Sequence, residues 1–203
     1  MKLNLKMVFT LLAISGVSTN AHAAFLLDTG TPNNTGFPLT LDATDYAASE
    51  FHITGNHIID SVSGYMAGGN MGDTFTVALY SDNNGHVGTQ LQSKQATFLA
   101  DGWNGVSALN WNANSGNFWV AFEVGPNDNS NLMLSLLLSS PSPAIATAFN
   151  DGSGYHNFSG FDYGVRVSSV EPVPLPAAAW LFISALGAFA GITKRRAKDS
   201  IKG

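Results

Sequence analysis

The chain has no cysteine, so no disulfide can brace it in any compartment. Charge is scarce, at 11% of its 203 residues. Positive charge is almost missing from the middle. Between positions 24 and 176 only Lys94 and Arg166 stand against 13 acids, a formal charge of -11. So acidic a surface repels nucleic acid and anionic lipid, which excludes a nucleic-acid partner. There is no Gly-x-Ser-x-Gly, no His-Glu-x-x-His and no Gly-rich phosphate loop. No catalytic residue is assigned, no enzyme activity is expected, and no cofactor is called for beyond loosely held Ca²⁺. A long helical period is also missing between Ala24 and Val170.

What is present is most informative at the two ends. Lys2 and Lys6 precede the apolar stretch Met7 to Val17, and Ala21-His22-Ala23 is a small-x-small cleavage signature. This pattern is that of a secretory signal peptide over residues 1–23, cut after Ala23 by signal peptidase. At the other end, Ala177 to Thr193 is a run of 17 uncharged residues. That is the short limit of the roughly 17–25 residues a spanning helix needs. Trp180 sits near its outer end, and Lys194, Arg195, Arg196 and Lys198 follow at once. The positive-inside rule then places residues 194–203 in the cytoplasm and the main domain outside. Pro172, Pro174 and Pro176 stop the helix from extending upstream and mark 171–176 as a linker.

Val173-Pro174-Leu175-Pro176, followed by Ala177-Ala178-Ala179-Trp180-Leu181 and the basic stop, resembles the PEP-CTERM sorting signal of Gram-negative bacteria. Leu175 stands where Glu is more usual in that motif. The resemblance implies insertion in the inner membrane and reading by an exosortase-like processing enzyme. It further implies cleavage near the Pro motif and delivery to the cell surface or an exopolysaccharide matrix.

Between the ends, short alternating segments are separated by turn residues. Thr74 to Ser81 puts Phe75, Val77 and Leu79 on one face, and Asp82-Asn83-Asn84-Gly85 supplies a turn after it. Glu50 to Thr54, Ile58 to Met66, Gln95 to Leu99, Asn117 to Val124, Leu132 to Leu138 and Val165 to Val170 read as further strands, with Ile58, Val62 and Met66 expected in phase. The expectation over residues 24–170 is an all-β fold, a single antiparallel β-sandwich of jelly-roll type, flanked by the signal helix and by the membrane helix 177–193. The segments Leu79 to Thr89, Phe118 to Glu123, Phe149 to Ser153 and Tyr163 to Val167 resemble extracellular β-sandwich domains found ahead of interchangeable bacterial surface anchors. Such domains mostly lack an assigned activity.

The candidate sites are few. His52 and His57 are five apart, and Gly55-Asn56 between them breaks any shared strand, so capping or surface roles are expected for them and for His86 and His156. Glu50 and Glu123 are the only glutamates before the tail linker, and two carboxylates across a sugar would be needed for glycosidase chemistry. Glu123 alternates out of phase with Phe118, Val120 and Phe122, which points it away from the core. Asp82, Asn84 and Asp128 sit in Asn/Asp-rich loops that resemble fragments of Ca²⁺ loops, yet turn chemistry explains them as well. Trp111 and Trp119 are expected in the core. Trp103, in Asp101-Gly102-Trp103-Asn104-Gly105, is expected in a turn and is the candidate glycan contact, since aromatic faces stack on sugar rings.

Overall fold

Wherever apolar and polar residues alternate, the backbone is extended, because a strand sends successive side chains to opposite faces. The computed structural model describes residues 23–32, 38–130, 132–137, 144–159 and 162–170. It contains β1 (Ala23–Asp28), β2 (Pro38–Leu41), β3 (Asp45–Ile53), β4 (His57–Ala67), β5 (Thr74–Asp82), β6 (Val87–Thr97) and β7 (Gly102–Val106). After these come β8 (Trp111–Ala113), β9 (Gly116–Glu123), β10 (Leu132–Leu137), β11 (Thr147–Asp151), β12 (Tyr155–Phe158), β13 (Asp162–Tyr163) and β14 (Val165–Val170). They belong to one compact unit, His22–Glu171. The segments expected as signal peptide (before Ala23), sorting motif, membrane helix and basic tail lie outside the described residues. Among the described residues no helix is long and apolar enough to cross a membrane.

The strands form two antiparallel sheets. One has eight strands, running β1-β14-β4-β10-β13, with β2 added on β10 and both β7 and β8 on β4. The other has six, in the order β12-β11-β3-β9-β5-β6. Their facing sides share one core. Phe51, Ile53, Phe75, Val77, Leu79, Val120 and Phe122 come from the six-stranded sheet, and Ile59, Val62, Met66, Trp111, Val165 and Val167 from the other. Burial of this apolar surface is the main favourable term in a chain without disulfides.

Two expectations need correction. Ile58 is not in phase with Val62 and Met66: Ile59 is the buried residue and Ile58 is half-buried. The cause is a bulge at Asp60, where Ser168 pairs with Ser61 but the next residue, Ser169, pairs with Ile59. An extra residue on one strand flips the alternation beyond it. Trp103 is not in a turn either. It lies in β7, paired with Tyr65 of β4. Its Gly- and Asn-rich surroundings read as turn chemistry, but the open edge of β4 recruits them as a strand.

Candidate functional site

Three of the residues singled out for chemistry, Glu50, Asp82 and Glu123, gather on the outer face of the six-stranded sheet. Register brings Ala148, Ala48, Ala121 and Ala78 into one row across β11, β3, β9 and β5. Four minimal side chains in a row leave a trough in the sheet surface. Along one bank Glu50, Trp119, Tyr80 and Gln90 lie side by side. Along the other, Glu123 sits beside Thr76, and Tyr46 beside Asn150 and Tyr155.

The protein fills this trough itself. The rings of Tyr80 and Tyr155 meet edge to face at 5.8 Å and pack on the alanines and Trp119. Both hydroxyls donate to the same oxygen, Glu123 Oε1, each at 2.6 Å. Burial, together with the charge and hydrogen bonding of Glu123, holds both phenols far above their ordinary range, so they remain donors at any physiological pH. The β5–β6 turn closes one end. Asn157 of β12 donates to the Gly85 carbonyl at 2.6 Å and pairs with His86 at 3.2 Å. Beneath it Trp119 is fully buried, and its Nε1 donates to Asp82 Oδ1 at 3.1 Å.

Glu50 is the other glutamate of this face. It is only 2% exposed, and its Oε1 accepts from Asn117 Nδ2 at 2.7 Å. Asn117 Oδ1 in turn meets His52 Nδ1 at 2.6 Å. Burial pushes the Glu50 carboxyl up, the charge of Asp82 adds to this, and the Asn117 hydrogen bond opposes it. Glu50 and Glu123 do share a face, but Glu50 pairs with Trp119, four residues before Glu123. At roughly 3.3 Å per residue their backbone positions lie about 13 Å apart along the strand. Glycosidase carboxylates stand about 5–9.5 Å apart.

The loop candidates are held by the protein's own donors. Asp82 accepts from Gly85 N at 3.0 Å as well as from Trp119, and Asn84 takes φ 54° in the same turn. Asp128 Oδ2 accepts from Gly125 N at 2.9 Å and Thr76 Oγ1 at 2.7 Å, and its Oδ1 accepts from Gln95 Nε2 at 2.7 Å. Among the described residues no three His, Asp or Glu side chains converge as a metal site would require. His52, His86 and His156 are exposed, and His57 is half-buried against Ser169.

Trp103 lies on the outer face of the opposite sheet. Tyr65 meets it edge to face at 5.5 Å, and the Arg166 guanidinium lies 4.0 Å over its ring. Arg166 also stands 5.5 Å from the Phe25 ring and donates to Asp28 Oδ1 at 3.1 Å. One face of the proposed sugar-stacking ring is thus covered by a cation from within. Trp111 and Trp119 are buried as expected, but Trp119 belongs to the outer cluster and not to the core between the sheets. Tyr80, Tyr155 and the alanine row were missed. Their alternation was visible, but the cross-strand register that unites them was not.

No family model matches the chain, and neither does any curated protein. Solved structures do. The cysteine protease and lectin-like domains of Cwp84, a surface layer associated protein of Clostridium difficile, match with a TM-score of 0.49 at 15% identity, over 64% of this chain and 33% of that one. Clostridial cysteine protease Cwp84 after propeptide cleavage matches with a TM-score of 0.52 at 14% identity, over 77% of this chain and 42% of that one. The chain therefore spans less than half the length of either neighbour. At 14% identity the second likeness is one of fold alone.

Proposed function

We propose that the chain is an exported bacterial protein of the cell surface or extracellular matrix, sorted by a PEP-CTERM-like tail and playing a structural or adhesive part without catalysis. Its jelly-roll-like domain would stand outside the inner membrane, held first by residues 177–193 and then released near Val173-Pro174-Leu175-Pro176 by an exosortase-like enzyme. The observation that carries this reading is the order of three parts at the C-terminus: proline motif, 17-residue apolar run, basic stop. The self-filled trough agrees with it, since Glu123 and Asp82 are engaged by Tyr80, Tyr155 and Trp119 and not held free for a substrate. Fractionation of cells producing the full chain, with N-terminal sequencing of the product, tests it. The expected product begins at Ala24 and is found in the membrane or outside the cell. A mature form confined to the cytoplasm would sink the reading.

A second reading is an exopolysaccharide-binding module. Phe25, 59% exposed, continues the Arg166–Trp103–Tyr65 stripe and gives that face an aromatic edge. Aromatic faces of this kind suit the apolar side of a sugar ring. Polysaccharide affinity that survives Trp103→Ala unchanged would remove this reading.

A further inference from the structure

Strand β6 ends the six-stranded sheet, and little packs against it. Every residue from Thr89 to Gln95 is exposed, and Ala96 is its one buried residue. Polar side chains on the outer face tie it to β5. Thr76 of β5 pairs directly with Gln95 of β6. Asp128, in the turn after β9, holds both. Its Oδ2 accepts from Thr76 Oγ1 at 2.7 Å, and its Oδ1 accepts from Gln95 Nε2 at 2.7 Å. Asp128 is itself oriented by Gly125, whose N–H donates to Oδ2 at 2.9 Å and whose carbonyl accepts from Asp128 N at 3.0 Å. Gln95 Nε2 also reaches the Asn127 carbonyl at 3.4 Å. One carboxylate therefore sets a hydroxyl beside a carboxamide.

We propose that Thr76 and Gln95 are the site of a self-formed ester cross-link, with Asp128 as its base. A threonine hydroxyl is a weak nucleophile until a base stands within hydrogen-bond reach and is oriented by a third group. Thr76, Asp128 and the Gly125 N–H stand in that order. Thr76 Oγ1 attacks Gln95 Cδ while its proton passes to Asp128. The Oγ1–Cδ bond forms and the Cδ–Nε2 bond breaks. Asp128, already in contact with Nε2, gives a proton to the departing amine, and ammonia leaves. No oxidant, reductant or further reactant is consumed. Gln95 is exposed, so the ammonia has a way out. The reach is also right. Residues directly opposite on one face have Cβ atoms about 4.5–5.5 Å apart, and the four bonds of Cβ–Oγ1–Cδ–Cγ–Cβ span about that distance. Fixed proximity of this kind replaces a bimolecular encounter, which is the main obstacle to such a step. The bond would hold the most exposed strand of the sheet in a chain that has no cysteine to do so. It depends on neither export nor the tail.

Mass spectrometry of the full chain, purified in detergent and incubated at neutral pH, tests this. The intact mass is expected to fall short of the sequence by one ammonia. Peptide mapping should then find a branched peptide that joins β5 to β6 through Thr76 and Gln95. Thr76→Ser should keep the cross-link, whereas Thr76→Val and Asp128→Asn should each restore the full mass. An unaltered chain of full mass after prolonged incubation would overturn the proposal, whether or not the variants fold. So would a loss of ammonia mapped to Asn84-Gly85 or Asn104-Gly105, where an asparagine can close on the next backbone nitrogen. A deficit that persists in Asp128→Asn would overturn the part given to Asp128.

Discussion

Glu50 is a carboxylate kept where its charge is costly. Its folded pKa lies above the ordinary value of 4.5, chiefly through burial. The ionised form is thus less favourable in the folded chain than in the unfolded one. The resulting penalty is absent below the unfolded pKa and fully present above the raised folded pKa. Glu50→Gln keeps an oxygen acceptor for Asn117 and removes the charge. It should raise the melting temperature at pH 7, and the gain should shrink as the pH falls towards 4.5. Thermal melts across that range decide this. A gain that is independent of pH would mean that packing, not charge, is responsible. Tyr155 gives the opposite case, a polar group well paid in kind by Glu123. Tyr155→Phe leaves the ring in place on the alanine row and deletes one of the two 2.6 Å hydrogen bonds to Oε1. A hydrogen bond to a charged group contributes about 1.5–3 kcal/mol, and urea unfolding should report a loss in that range. A neutral outcome would show that the Tyr80 hydroxyl alone satisfies the carboxylate.

At the scale of elements, β7 depends on a missing side chain. Gly105 pairs with Ser63 of β4, and a Cβ there would enter the space of the Val62 carbonyl oxygen and the Ser63 Cα. Gly105→Ala should therefore cost about 1–3 kcal/mol, at the upper end because the atoms met are backbone, by forcing the two backbones apart. It should also change the near-ultraviolet circular dichroism of Trp103, which rides on the same strand. An unchanged melt would mean that β7 is loosely attached. This strand also marks how far the sequence could be read. Thr74 to Ser81 was recognisable because clean alternation ends in a turn, Asn117 to Val124 because a short apolar run rich in aromatic and β-branched residues ends in one, and β5 and β9 occupy almost the same residues. β7 was not, because glycine, tryptophan and asparagine carry turn chemistry and only the neighbouring edge makes them a strand. The phase of Ile58 was misread for a similar reason, since a bulge at Asp60 is set by the pairing of β4 with β14. The outer cluster illustrates the same limit. Ala48, Ala78, Ala121 and Ala148 are unremarkable along the chain, and their meaning arises only when four strands align them.

At the scale of the whole domain, the imbalance between positions 24 and 176, 13 acids against Lys94 and Arg166, sets the conditions for stability. Neither cation is free to neutralise its surroundings broadly. Arg166 is held by Asp28, and Lys94 Nζ donates to the Ser107 carbonyl at 3.0 Å. The folded domain compresses like charges into a smaller volume than the unfolded chain does, so it repels itself. Salt screens such repulsion over a Debye length that falls from about 30 Å at 0.01 M to about 3 Å at 1 M. Raising sodium chloride from about 0.02 M to about 0.5 M should therefore raise the melting temperature. A gain of about 1 kcal/mol would appear as about 3 °C for a domain of this size. Gln92→Lys, on the exposed face of β6, should raise the melting temperature at low salt and have little effect at high salt.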